Sequence, residues 1–248
     1  MTISVKNVSK RYGDHIILKD ISFEMTEGKV IVLMGTNGSG KTTLLNILSG
    51  FIVPDQGDVL LDGESINKLK PYQRCLKGIG RSFQDLRLIS SLTVMENVLL
   101  AFPNQKGERW WNTLFPSKAV REELNSNREK AEQILRQCFI TEVAESKAGE
   151  ISFGQQKLLN LACSLASGTP FLLLDEPVAG VNPAFREKLS EVIKELKCKG
   201  KGMLIVEHSG DFIDAVADEI IFLSEGGLKR YRTYNDFRND KGVLEAYL

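Results

Sequence analysis

Val30-Ile31-Val32-Leu33-Met34-Gly35-Thr36-Asn37-Gly38-Ser39-Gly40-Lys41-Thr42-Thr43 runs from unbroken apolar residues directly into a glycine-rich turn closed by a lysine. An apolar run without alternation is the pattern of a strand buried on both faces, as in a parallel sheet covered by helices. Gly35, Gly38 and Gly40 then allow a turn in which successive backbone N–H groups close around phosphate oxygens, and the stretch fits G-x-x-x-x-G-K-[ST]. Leu44, Leu45, Ile47 and Leu48 follow at helical spacing, so the turn hands the anion to the positive end of a helix. In this arrangement Lys41 reaches the outer phosphates and the Thr42 hydroxyl ligates Mg²⁺, while Thr36, Asn37, Ser39 and Thr43 complete the phosphate-holding loop.

Phe171-Leu172-Leu173-Leu174 is a second apolar run, and it delivers Asp175 and Glu176 to a strand end, where parallel α/β sheets bind ligands. Asp175 is placed to hold Mg²⁺ through water, and Glu176 to orient or deprotonate the water that attacks a γ-phosphate. Read alone, Asp-Glu-Pro is equally a strand-end turn, and a phosphate loop alone leaves kinases, GTPases and motor ATPases open. A third motif decides between them.

Ser152-Phe153-Gly154-Gln155-Gln156, standing ahead of Leu174-Asp175-Glu176-Pro177, resembles the signature of the nucleotide-binding subunits of ABC transporters, and the resemblance runs along nearly the whole chain. It implies an α/β fold with a P-loop (RecA-like) core of the ABC ATPase type, an inserted helical subdomain and an N-terminal antiparallel β portion. It implies ATP and Mg²⁺ as ligands. Tyr12, in Lys10-Arg11-Tyr12-Gly13, matches the aromatic that stacks on adenine, Gln84 in Arg81-Ser82-Phe83-Gln84 matches the Q-loop glutamine, and His208 after Leu204-Ile205-Val206-Glu207 matches the switch histidine. The chemistry is reasonable at each place. An aromatic face binds a purine without reading its edges, a side-chain amide reaches Mg²⁺ and the lytic water, and a neutral imidazole hydrogen-bonds near the γ-phosphate. Singly, the three residues also read as a strand anchor, a loop polar group and a helix start. Their order relative to the motifs is that of the family, and the resemblance implies Glu176, His208 and Gln84 as the catalytic set and Thr42, Gln84 and Asp175 as the metal set.

The signature opens a helix whose N-terminus, by the same resemblance, binds the γ-phosphate held by an opposing subunit, through Ser152, the Gly154 backbone and Gln155. Neither subunit would then own a complete site, and ATP would join two ATPase chains, a sibling or a second copy. The chain departs from the commonest family pattern at two positions. Phe153 replaces a glycine, and Ala179-Gly180-Val181-Asn182 carries Asn where the D-loop usually has Asp. Lys157 and Cys163 stand where arginines are frequent.

With 248 residues, 42% hydrophobic and 26% charged, the composition is that of a folded globular chain. Thirty-two basic and thirty-two acidic side chains cancel, which gives no field to hold nucleic acid and disfavours a DNA-repair ATPase. Cys75, Cys138, Cys163 and Cys198 form no C-x-x-C pair, so reduced thiols are expected rather than zinc or redox chemistry. Met1 to Lys6 lack a basic-then-apolar leader and no apolar run approaches the ~18 residues of a membrane helix. A pore would come from other chains, with this one cytoplasmic and peripheral on the inner face of the membrane.

The expected organisation is one ABC nucleotide-binding domain over 1–248, with a core ATP-binding lobe of 1–84 and 168–248 and a helical signature lobe of 85–167. Short strands are expected at Ile16-Ile17-Leu18, Ile21-Ser22-Phe23 and Val59-Leu60-Leu61, helices over 119–137, 155–166 and 183–197, and later strands over 203–206 and 220–223. Residues 102–117, with Trp110-Trp111, read as a packed insertion or as an anchor for a membrane partner.

Arg81-Ser82-Phe83-Gln84-Asp85-Leu86-Arg87-Leu88, the following Leu92-Thr93-Val94-Met95-Glu96-Asn97-Val98, Asp175-Glu176-Pro177-Val178-Ala179-Gly180-Val181-Asn182-Pro183 and the closing Glu245-Ala246-Tyr247-Leu248 are similar to ATPases of branched-chain amino acid importers. That similarity implies membrane permease subunits, a second ATPase and, indirectly, a solute-binding protein as partners, with permease contact near Gln84 to Leu88. An ATPase of lipopolysaccharide extraction and a soluble ATPase of iron–sulfur cluster assembly are the alternatives within the family. A P-loop small-molecule kinase is the alternative outside it, but gives the signature and His208 no role.

Overall fold

Interrupted alternation over 2–26 and 56–61 and unbroken apolar runs at 30–34, 171–174 and 203–206 produce two different sheets. The computed structural model describes residues 1–82, 88–106, 118–224 and 227–247. Its elements begin with β1 (Thr2–Tyr12), β2 (His15–Thr26), β3 (Val30–Gly35), α1 (Lys41–Leu48), β4 (Gln56–Leu61), β5 (Glu64–Ser65), α2 (Pro71–Leu76) and β6 (Ile79–Arg81). Then follow α3 (Val94–Leu100), α4 (Lys118–Gln137), α5 (Phe153–Ala166), β7 (Phe171–Asp175), α6 (Pro183–Cys198), β8 (Gly202–Val206) and α7 (Gly210–Val216). The chain ends in β9 (Glu219–Ser224), β10 (Gly227–Tyr231), α8 (Tyr234–Asn239) and α9 (Lys241–Tyr247).

The residues fall into two compact units, one of Met1–Gln84, Thr169–Ala179 and Ile193–Leu248, the other of Asp85–Gly168 and Gly180–Val192. In the first, β2-β1-β4-β5 form an antiparallel sheet and β10-β9-β3-β8-β7-β6 a second sheet that is parallel apart from β10. Every residue of β3, β7 and β8 is buried, as strands covered on both faces require. Ile3 and Val5 of the first sheet share one core with Leu33, Leu173 and Leu204 of the second and with Leu44, Leu45, Ile47 and Leu48 of α1. This is the α/β, P-loop type of core with an N-terminal antiparallel portion that the sequence predicts.

The two short runs expected at 16–18 and 21–23 are one strand, β2. Asp20 adopts φ 53° and accepts from Asn7 Nδ2 at 2.6 Å, while Asn7 itself has φ 51°. The polar residues that read as a turn instead make an irregularity in the β1–β2 ladder, where the register shifts between Val5 and Val8, and the strand continues past it.

In the second unit, α3 is opened by a reciprocal cap. Glu96 N donates to Thr93 Oγ1 at 3.1 Å and Thr93 N to Glu96 Oε2 at 2.8 Å. Buried Asn97 accepts from Ile89 N at 2.9 Å and donates to Ile89 O at 3.1 Å and Thr93 O at 2.9 Å, which staples the segment ahead of the helix. Among the described residues, no helix is long and apolar enough to cross a membrane.

Candidate nucleotide-hydrolysis site

The carboxyl ends of β3, β6, β7 and β8 lie side by side, because Leu33 and Asp175 are both in register with Val206 and Arg81 with Leu173. Residues just past these ends therefore meet in the crevice where parallel sheets bind ligands.

After β3 the chain turns through Gly38 at φ 83° and Gly40 at φ 95°, a region open to glycine with little strain. A Cβ at Gly40 would lie 2.7 Å from Leu18 Cδ2, so the turn also lacks room for a side chain there. Lys41 Nζ donates to Gly35 O at 2.8 Å and Thr36 O at 2.9 Å, which folds the ammonium into the loop. Burial lowers the Lys41 pKa, and the nearby charges of Glu176 and Asp175 oppose that shift. Ser39 Oγ is buried without a hydrogen-bond partner among the described residues, whereas Thr42 is exposed at the start of α1. An unpaired buried hydroxyl, a caged cation and an uncapped helix start together fit a bound phosphate chain.

The far end of α1 is fixed as firmly as its start. Arg74 is fully buried and donates to Ile47 O at 2.5 Å and Leu48 O at 2.9 Å, with its pKa pushed down by burial to about 10. Arg81 Nη1 donates to Asn46 Oδ1 at 2.6 Å and Ser49 Oγ at 2.8 Å, and its Nη2 lies 3.6 Å from Asp175 Oδ2. One buried guanidinium thus ties the phosphate helix to the carboxylate that ends β7.

Glu176 adopts φ 48°, uncommon for a residue with a side chain, and its N–H donates to Val206 O at 3.0 Å. Buried Glu207 holds the turn from its other side. Its Oε1 accepts from Val178 N at 2.9 Å and its Oε2 from His208 N at 2.9 Å and Ser209 N at 3.4 Å. His208 Nε2 lies 3.9 Å from Glu176 Oε1.

Tyr12 ends β1 with its ring half exposed. Lys10 Nζ sits 5.7 Å from the ring centroid and donates to Asp55 Oδ1 at 2.6 Å, and Arg11 N donates to Asp55 Oδ2 at 2.8 Å. These donors hold the Asp55 carboxyl below its ordinary pKa, the Lys10 hydrogen bond foremost. Gln84, Arg87 and Trp110-Trp111 lie outside the described residues.

The signature residues belong to the second unit. Ser152 caps α5: its Oγ accepts from Gln155 N at 3.3 Å, and Gln155 Oε1 accepts from Ser152 N and Oγ, both at 2.9 Å. Ser-x-x-Gln is a capping-box pattern legible in the sequence. Arg81 and Glu207 escape that kind of reading; the one signal for them is a charged residue wedged between an apolar strand and a site loop.

The fold and site define a P-loop ATPase whose lysine, paired acidic residues and histidine converge at the carboxyl edge of a parallel sheet. The family model described as ABC transporter matches residues 18–179. The high-affinity branched-chain amino acid transport ATP-binding protein BraF of Pseudomonas aeruginosa is 31% identical over 247 residues, which cover 99% of this chain and 97% of that protein. A nucleotide-free ATP-binding cassette from an ABC transporter has a TM-score of 0.85 at 32% identity, covering 100% of this chain and 99% of that one. A dimeric cassette in a post-hydrolysis state, bound to ADP and Pi, has a TM-score of 0.76 at 28% identity, over 93% of this chain and 98% of the other. The chain belongs to the ABC transporter family, and its activity is ATP hydrolysis.

Proposed function

We propose that this chain powers an ABC-type membrane importer of branched-chain or related amino acids by ATP-dependent closure of two ATPase subunits. The observation that carries the reading is the convergence of Lys41, Asp175, Glu176 and His208 at one sheet edge in a chain with full-length branched-chain transport relatives. ATP lies with its adenine on Tyr12 and its phosphates in the loop from Gly35 to Thr43. The first lobe, 1–84 with 168–248, binds it, and the lobe of 85–167 carries the signature.

Thr42, Asp175 and Gln84 would hold Mg²⁺, which would supply positive charge against the phosphates. Lys41 neutralises the outer phosphates from inside the loop. Glu176 orients the attacking water and accepts its proton, and His208 hydrogen-bonds the γ-phosphate and faces Glu176. Glu207 keeps these two in register through the backbone amides it accepts. Ser152, the Gly154 amide and Gln155 complete the site on an opposing subunit, a sibling or a copy. That a related cassette has been solved as a dimer with ADP and Pi supports this arrangement.

The chain would sit on the inner face of the membrane against two permease subunits, served by a solute-binding protein. The test is purification of tagged Glu176→Gln from native membranes in Mg-ATP. Two permease-type proteins with a sibling ATPase are expected. Recovery of only soluble cluster-assembly proteins, or of lipopolysaccharide-extraction components, would replace the importer reading.

A further inference from the structure

We propose that Phe153 and Phe185 lock the signature turn and the D-loop of this chain into one piece, each ring lying on a glycine of the other segment. The departure of Phe153 from the usual glycine is then a positioning device. A Cβ at Gly180, in the D-loop, would lie 3.1 Å from Phe153 Cε1, so that ring covers the Gly180 backbone. A Cβ at Gly154, in the signature, would lie 2.7 Å from Phe185 Cγ and 2.8 Å from its Cδ2. Gly154 is helical, so space rather than backbone conformation demands glycine there. The contacts are reciprocal: signature ring on D-loop glycine, and post-D-loop ring on signature glycine.

Neighbouring groups fix both rings. Lys157 Nζ lies 5.5 Å from the Phe153 centroid and Lys188 Nζ 5.4 Å from that of Phe185, within cation–π range. Phe185 N donates to Asn182 Oδ1 at 3.0 Å, so Asn182 caps α6 ahead of Pro183 at its first position. Asn keeps the acceptor that an Asp would supply and drops its charge. The unusual Phe153, Lys157 and Asn182 thereby become parts of one assembly. Phe153 is 48% exposed, so core burial does not account for an aromatic at this position.

Backbone hydrogen exchange in the full-length chain tests the lock without any partner. Phe153→Gly is expected to speed exchange roughly tenfold at the Phe185 and Arg186 amides, which donate to Asn182 at the end of the D-loop, and Phe185→Ala to do the same at Gln155 and Gln156, which donate to Ser152. Phe153→Tyr should keep the parent protection, and unchanged exchange in β3, β7 and β8 certifies that each variant is folded. Loosening confined to each variant's own segment overturns the proposal.

A second arm rests on the two-subunit reading. In a Glu176→Gln background with Mg-ATP, Phe153→Gly should shorten the lifetime of the closed pair. If Glu176→Gln never forms a closed pair, the two-subunit reading fails, and the exchange result alone judges the lock.

Discussion

Lys41, Asp175 and Glu176 are held by buried polar atoms: carbonyls of the phosphate loop, the Arg81 guanidinium, and the Glu207 carboxylate reaching the turn after Glu176. Ser152 and Gly154, in the other unit, stand at a helix start held by a capping box and two aromatic rings laid on glycines. The first arrangement suits bond-breaking chemistry, because buried charge-assisted contacts fix acidic and basic groups with little reorganisation. The second suits docking, because a capped helix start presents backbone amides to an anion from elsewhere. The carboxylate edge and the Ser152 helix start are thus built by different means, buried charge in one and a local cap with ring-on-glycine packing in the other.

The contrast is tested most severely at Glu176. Glu176→Gln removes the proposed base while keeping side-chain volume, and should lower turnover by about 10²–10⁴-fold with ATP binding intact, read by single-turnover kinetics beside equilibrium binding. Undiminished hydrolysis would take the base away from this turn.

Arg81→Met comes next. Breaking the buried pair with Asp175 should cost about 3–5 kcal/mol of stability in urea unfolding. A loss under ~1 kcal/mol, as for exposed pairs, would mean that the guanidinium does not organise the site.

Glu207→Gln should be milder, since it replaces one acceptor oxygen by a donor facing a backbone N–H and loses about 1.5–3 kcal/mol of charge-assisted bonding. The expected readout is slower turnover at unchanged ATP affinity, because His208 and Glu176 shift while the phosphate loop does not. Weakened nucleotide binding instead would blur the division between holding and reacting.

The smallest effect belongs to Ser152→Ala. Loss of the cap should cost ~1 kcal/mol in the second unit, and ATP binding by the isolated chain should stay as it was. A Ser152→Ala variant that binds ATP poorly on its own would place the signature inside the chain's own site.

The parallel sheet and its loop were legible because the informative residues are contiguous: Val30 to Thr43 state strand, turn and helix in order, and Phe171 to Glu176 repeat the first part. The antiparallel portion was legible as strands, but not as two long ones. The pairing of Asn7 with Asp20 across the ladder is a non-local fact, and Asp20 read locally is a turn residue. The same limit hid Arg81, Glu207 and Phe185. Arg81 reaches Asp175, Glu207 reaches Val178 N and Phe185 lies against Gly154, each far off in sequence, so neighbours in the chain say little about these contacts. Ser152 with Gln155 shows the converse, a spacing of three residues that announces its own hydrogen bonds.

On the two-subunit reading proposed above, this chain reacts only when the signature of a second subunit meets its reaction site. The direct measurement is ATP turnover per chain across a dilution series, alongside nucleotide-binding stoichiometry, with the purified chain and its co-purified partner ATPase. Turnover per chain is expected to fall on dilution while each chain still binds one ATP. Turnover per chain that stays constant on dilution and survives Ser152→Ala would contradict it.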